Sequence, residues 1–183
     1  MTGRGPGAPR LLFVCTGNIC RSPFAELATA AWARRAGRPV GVSSAGVSGL
    51  VGHPVDPGMA AELAARGIAH EGFAGSRLTA ARVAAADVVL CMQRHHLEAV
   101  LRLRPAALRR TLLLDHAAAL AAAGALPAAG GITTVQRGAV PAEDGGIPDP
   151  YGAGAAEFRA VAARIEACLD AVLPALLGGG PAC

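Results

Sequence analysis

The chain has no lysine: all 17 of its basic residues are arginine. Aromatic residues are nearly as scarce, at 3%, with one Trp, one Tyr and four Phe. Nucleic-acid binding needs a basic face, ideally interleaved with stacking rings. Scattered arginines and so few rings argue against it, and no nucleic-acid partner is expected. No window offers ~18 uninterrupted, strongly apolar residues, so no membrane-spanning helix is expected. The mean hydropathy of +0.40 comes mostly from alanine. No apolar run of signal-peptide type precedes the first strand, so a cytoplasmic location is the expectation. Disorder is excluded from the other side, because 52% of the residues are apolar and only 16% are charged. A length of 183 residues favours a single domain over residues 1–183, with 1–9 and 178–183 read as disordered tails. The missing lysine, beside abundant Ala and Gly, points to a coding bias towards G and C rather than to a function. The net charge of +4 is compatible with an anionic substrate.

Five cysteines is an odd number, and a disulfide scaffold is not expected in a reducing compartment. Cys91 lies in an apolar run and Cys168 in a helical pattern, so both read as core. Cys183 ends the chain and reads as mobile. Cys15 and Cys20 sit in polar, Gly-containing surroundings and need another explanation.

Strands and helices alternate along the chain. Strands are expected at Arg10–Val14, Val40–Ser44, Asp87–Met92 and Thr111–Leu114, and helices at Pro23–Gly37, Asp56–Arg66, Thr79–Ala85 and His95–Arg104. Residues 124–147, rich in Gly, Ala and Pro, read as a long loop of the functional or disordered kind. From Ala155 to Leu177, Phe158, Val161, Ile165, Leu169, Val172 and Leu176 recur every three or four residues, which predicts a terminal amphipathic helix. Alternation of this kind implies a parallel sheet covered on both faces. Ligands of such sheets bind beyond the carboxyl ends of the strands.

The turn after the first strand therefore matters most: Cys15-Thr16-Gly17-Asn18-Ile19-Cys20-Arg21-Ser22-Pro23. A loop feeding a helix N-terminus offers free N–H groups and positive partial charge to an anion. Gly17 and Asn18 tolerate the positive φ that a ring of inward amides requires. Ser22 is expected as N-cap and Pro23 as first helical residue. Arg21 can fork two phosphate oxygens. Cys15, facing the ring, has the surroundings that favour a thiolate, and a thiolate under a bound phosphate is placed for in-line attack. A buried strand Cys and a capped helix explain Cys15 and Ser22 singly, but not Cys15 and Arg21 together around a Gly-Asn turn. A zinc site at Cys15 and Cys20 lacks a second ligand pair nearby, so no metal is expected. The loop lacks the GxxxxGK[ST] spacing of a nucleotide-binding P-loop.

A leaving alkoxide or phenolate needs a proton. Asp149, held between Pro148 and Pro150, is stiff and extended. It reads equally as an acid held over the site and as a turn residue capping the last helix. His53, His70, His95, His96 and His116 are scattered and read as surface or helix residues, and Trp32 as packing.

VCTGNICRSP near the N-terminus, with DPY before the last helix, resembles the low-molecular-weight protein tyrosine phosphatases of bacterial type. Val42-Ser43-Ser44-Ala45-Gly46, GHPVDPGM and ADVVLCM extend the likeness over most of the chain. The resemblance implies a flavodoxin-like three-layer α/β fold with a four-stranded parallel sheet. It implies a phosphotyrosine hydrolase that uses no cofactor or metal, with a phosphocysteine intermediate. In this reading Cys15 is the nucleophile, Arg21 the phosphate clamp and Asp149 the general acid. Substrate would be held by Thr16, Gly17, Asn18, Ile19, Cys20, Ser22 and Tyr151, with Asn18 holding the loop in shape and Ser22 stabilising the thiolate. Cys20 would trap an oxidised Cys15 as a disulfide, where the bland reading makes it a packing residue. The partner implied is a phosphotyrosine-containing protein. The short loop 47–52, without a Trp, is similar to members linked to tyrosine kinases of exopolysaccharide production.

The chain departs from the family pattern in places. Gly152 stands where a second tyrosine is common. Phe73 stands where a His often supports the loop Asn, which leaves Ser43 or Ser44 to satisfy Asn18. The loop before Asp149 is long. Protein arginine phosphatases also resemble this chain but tend to carry Thr where Ile19 stands, and Ile suits a flat phenyl ring better than a guanidinium. Arsenate reductases share the loop but need a cysteine relay, and none lies between Cys91 and Cys168. A non-catalytic phosphopeptide-binding module would have dispensed with Cys15 or Asp149.

Overall fold

The computed structural model describes residues 7–129 and 145–178. The expectations for Cys183, for most of both tails and for most of the 124–147 loop lie outside those residues.

Strand β1 (Arg10–Cys15) is central to the sheet. Its residues reach both faces: Leu11, Phe13 and Cys15 join one apolar cluster, Leu12 and Val14 the other. A strand covered on both sides needs an unbroken apolar run, which RLLFVC supplies. With β2 (Gly41–Gly46), β3 (Val88–Cys91) and β4 (Thr111–Leu113) it forms an all-parallel sheet ordered β2-β1-β3-β4. This is the expected α/β architecture, with flavodoxin-like strand order. β2 runs two residues further than expected, so Cys15 pairs across to Gly46.

The larger cluster joins α1 (Arg21–Ala36), α2 (Pro57–Ala65), α5 (Leu114–Ala122) and α6 (Ala155–Leu177) to one face. Val83 of α3 (Ala80–Ala85) and Val100 of α4 (Arg94–Leu103) cover the other. Asp56 and Thr79 are N-caps rather than helical residues, accepting from the N–H groups of Gly58 and Arg82. The terminal helix α6 has the expected bounds, with its recurring apolar positions buried. Helix α5 was not foreseen, nor was the 3-10 turn Pro105–Arg110. Cys91 and Cys168 are buried, as expected, and burial pushes both thiols up. Trp32 packs half-buried against the larger cluster.

From β1 the chain crosses to β2 on one side, and from β3 to β4 on the other. The carboxyl ends of β1 and β3 are thus the switch point of the sheet, where a crevice opens. Cys15 is the last residue of β1.

Candidate active site

The loop after β1 is hung by its carbonyls. Cys15, Thr16 and Gly17 accept at 2.9, 3.0 and 2.9 Å from the N–H groups of Val47, Ser48 and Leu50, and Ile19 accepts at 2.8 Å from Asp56. With the carbonyls drawn outward, the amides turn inward. Among the described residues no carbonyl accepts from the N–H groups of Gly17, Ile19 or Cys20. Such a bowl at a helix start suits an anion. Asn18 carries the positive φ, at 56°; Gly17 does not, contrary to expectation. Gly46 is required for close approach: a Cβ there would stand 2.5 Å from the Thr16 carbonyl oxygen and 2.9 Å from the Asn18 nitrogen.

Cys15 lies at the floor of the bowl, 2% exposed. Its Sγ is 2.9 Å from Ser22 Oγ and takes the Asn18 N–H at 3.3 Å. The polarity of this cluster follows from Asn18. Ser76 N–H donates to Asn18 Oδ1 at 2.7 Å, which fixes the amide orientation. Nδ2 must then donate, to Ser22 Oγ at 2.9 Å and Ser44 Oγ at 2.7 Å. The Ser22 proton is left for Cys15 sulfur, and the Ser44 proton goes to Glu26 Oε2 at 2.5 Å. Burial raises the Glu26 carboxyl above its ordinary value, while the Ser44 bond and Arg82 pull the other way.

Two expectations are corrected here. Ser22 is not the N-cap: α1 begins at Arg21 with Cys20 at the cap and no side-chain bond, because the Ser22 hydroxyl is engaged at Cys15 and Asn18. Of the two serines offered for Asn18, Ser44 serves; Ser43 turns to the Leu11 carbonyl.

Arg21 is almost wholly buried, at 1% exposure. Nη1 donates to Gln93 Oε1 at 2.7 Å and to the Ile147 carbonyl at 3.0 Å. Nη2 donates to Thr16 Oγ1 at 3.3 Å and to Asp149 Oδ2 at 2.5 Å. Nε is buried without a partner among the described residues. An unsatisfied buried donor calls for an explanation, and an oxyanion resting on the Nε–Nη2 edge supplies one.

Asp149 is brought to the site by the segment of residues 145–150. Ile147 N–H bonds the Met92 carbonyl at 2.7 Å, and Gly146 N–H bonds Asp115 Oδ2 at 2.7 Å. The capping alternative for Asp149 fails. The N-cap of α6 is Gly154, and the Asp149 carboxylate contacts Arg21 and the Tyr151 N–H.

These groups share one pocket of about 230 Å³, lined by Cys15, Thr16, Gly17, Ile19, Cys20, Arg21, Ser48, Leu50, Asp149 and Tyr151. Of the expected site residues, Asn18 and Ser22 lie behind the wall and support it. Burial, then the charges of Asp56, Asp149 and Cys15, push the Cys20 thiol far up, with Arg21 opposing. Leu50 and Ser48 were not foreseen. Nor was the role of His96: it lies in α4, one of the two readings given for the histidines, but is wholly buried there, with Nε2 2.9 Å from Thr16 Oγ1. Its partner lies 80 residues earlier, so no local pattern reveals it.

The sequence profile of the low molecular weight phosphotyrosine protein phosphatases matches residues 10–125. Low molecular weight protein-tyrosine-phosphatase Etp of Escherichia coli (strain K12) is 42% identical over 103 residues, which cover 56% of this chain and 67% of that protein. The solved structure of the Erwinia amylovora tyrosine phosphatase AmsI is similar at a TM-score of 0.70 and 27% identity, over 96% of this chain and 97% of that one. The YwlE arginine phosphatase from Geobacillus stearothermophilus is similar at 0.68 and 28%, over 89% of each chain. Asp149 falls outside the profile match, so its assignment rests on the geometry above. With its Cys-loop inside the matched span and its whole architecture shared, the chain belongs to the low molecular weight phosphotyrosine protein phosphatase family.

Proposed function

We propose that this phosphoric monoester hydrolase acts on phosphotyrosine through a phosphocysteine intermediate, with Cys15 as nucleophile, Arg21 as clamp and Asp149 as acid and base. One observation carries the reading: Cys15, Asp149 and Arg21, whose buried Nε has no partner among the described residues, line the same pocket. The phosphoryl group rests on the loop amides and the Nε–Nη2 edge of Arg21, where its oxygen takes the place of the Asp149 carboxylate on Nη2 and leaves the Thr16 bond in place. Cys15 sulfur attacks phosphorus, the S–P bond forms as the P–O bond to the aryl group breaks, and Asp149 gives its proton to the leaving oxygen. Water then attacks phosphorus as Asp149 takes its proton, the S–P bond breaks, and inorganic phosphate leaves. Amides and a guanidinium aimed at the equatorial oxygens stabilise the charge that develops there.

Ile19, Leu50 and Tyr151 give the entrance apolar walls, which favour an aromatic ring over a guanidinium. The likeness to an arginine phosphatase supports phosphoarginine as the second reading. We further infer a phosphotyrosine-bearing protein partner in the cytoplasm. A tyrosine kinase of exopolysaccharide production is the candidate that the short 47–52 loop favours. Among the described residues, no helix is long and apolar enough to cross a membrane.

The test compares phosphate release from phosphotyrosine, phosphoserine and phosphoarginine peptides, with an arsenate-reduction assay alongside. Phosphotyrosine should be preferred, and Cys15→Ser should abolish turnover while still binding phosphate. Preference for phosphoarginine would favour the second reading, and appreciable turnover by Cys15→Ser would exclude the phosphocysteine.

A further inference from the structure

Thr16 Oγ1 is a meeting point of donors. The Gln93 N–H, which can only donate, bonds His96 Nδ1 at 3.0 Å. A ring nitrogen that accepts carries no proton, so in the neutral imidazole the proton sits on Nε2. That nitrogen donates to Thr16 Oγ1 at 2.9 Å. Arg21 Nη2 donates to the same oxygen at 3.3 Å. With both lone pairs engaged, the hydroxyl retains its own proton, and among the described residues no protein atom takes it. Thr16 lines the pocket beside Arg21 and Asp149, so that proton faces the space an anion would fill.

We propose that His96 is a positioning residue acting through Thr16, fixing the Thr16 hydroxyl as a hydrogen-bond donor to an oxygen of the bound phosphoryl group. The proposal rests on the phosphatase reading of the site and adds a side-chain donor to the loop amides and Arg21. A free threonine hydroxyl rotates and presents lone pairs to an anion as readily as its proton. Filling both lone pairs beforehand removes that choice, which is preorganisation of a dipole towards developing charge. Burial of His96, with His95 and Arg21 adding to it, drives its pKa down to about 3. The ring therefore stays neutral and keeps this tautomer over the neutral range. His96 also closes the first turn of α4 through the Gln93 contact, so loss of the ring affects folding as well, and the test must separate the two.

The probe is inorganic phosphate alone, titrated by calorimetry into the full chain, with aryl phosphate kinetics alongside and urea unfolding to show that each variant is folded. Thr16→Val should weaken phosphate binding about 10- to 100-fold, the range for a hydrogen bond to a charged group. His96→Ala should weaken it about 5- to 10-fold. His96→Gln, whose amide can donate to Thr16, should recover most of that loss, and Thr16→Ser most of the loss in Thr16→Val. The double variant His96→Ala/Thr16→Val should bind phosphate no more weakly than Thr16→Val, because the ring acts only through the hydroxyl. Additive losses in the double variant would overturn the proposal, as would phosphate binding by folded His96→Ala at the wild-type level. Wild-type protein that bound phosphate without hydrolysing aryl phosphates would refute the phosphatase reading, while the binding cycle would still decide the role of His96.

Discussion

Asn18 joins the backbone shape of the loop to the chemistry of its sulfur, and three substitutions separate the two. Its side chain makes three hydrogen bonds, to Ser22, Ser44 and Ser76, and its backbone holds φ at 56°. Asn18→Gly keeps the backbone shape and loses the bonds, at roughly 1 kcal/mol each, so it should cost about 3 kcal/mol of stability. Asn18→Ala loses the same bonds and also strains the left-handed backbone, which should cost about 1 kcal/mol more. Asn18→Asp can still accept from Ser76 but cannot donate. The Ser22 proton would then turn from Cys15 sulfur to the new carboxylate, and a negative charge would stand beside the nucleophile. Its kcat/KM on an aryl phosphate should fall further than that of Asn18→Ala, by about 10- to 100-fold, the worth of a charge-assisted hydrogen bond. Urea midpoints and aryl phosphatase kinetics on the same preparations read both effects. The reasoning is refuted if Asn18→Gly is as stable as wild type, or if Asn18→Asp is more active than Asn18→Ala.

Asp149→Asn should slow hydrolysis by roughly 10²–10⁴, with the loss shrinking for phenols of low pKa; an equal loss across leaving groups would make Asp149 structural. Burial raises the Glu26 carboxyl, so its contribution to stability is full below the unfolded value of 4.5 and is lost as pH rises through the folded one. Glu26→Gln should therefore lose less stability than wild type as pH rises above 4.5, checked by urea midpoints, and an unchanged slope would remove Glu26 from the linkage. After brief peroxide treatment, dithiothreitol should restore wild-type activity more fully than that of Cys20→Ser. Because burial keeps the Cys20 thiol protonated, closure of a disulfide should require the loop to open first; equal recovery by the two proteins would leave Cys20 a packing residue.

The parts legible in the sequence are those whose causes are local. The strand, loop and helix carrying Cys15 and Arg21 are contiguous, so their order and spacing could be read directly. Helix α6 was delimited because large apolar residues contrast with the charged ones between them. Helix α5 was missed because Asp115-His116-Ala117-Ala118-Ala119-Leu120 offers little contrast: alanine favours a helix but marks no face. Ser22 was misread for the opposite reason, since its local pattern is a good cap while a tertiary network claims its hydroxyl. His96 and Gln93 act on residues more than 70 positions away, and no periodicity encodes such a contact.

The segment carrying Asp149 is moored at three points. Gly146 is tied to Asp115, Ile147 to the end of β3, and the Ile147 carbonyl to Arg21 itself. These contacts of residues 146 and 147 therefore set where the Asp149 carboxylate stands. Gly146 has φ at 128° and a Cβ there would stand 2.6 Å from the Met92 carbonyl oxygen, so a side chain at that mooring would shift the carboxylate although Gly146 does not line the pocket. Activity can thus be tuned from outside the pocket wall, by changes that leave every lining side chain in place.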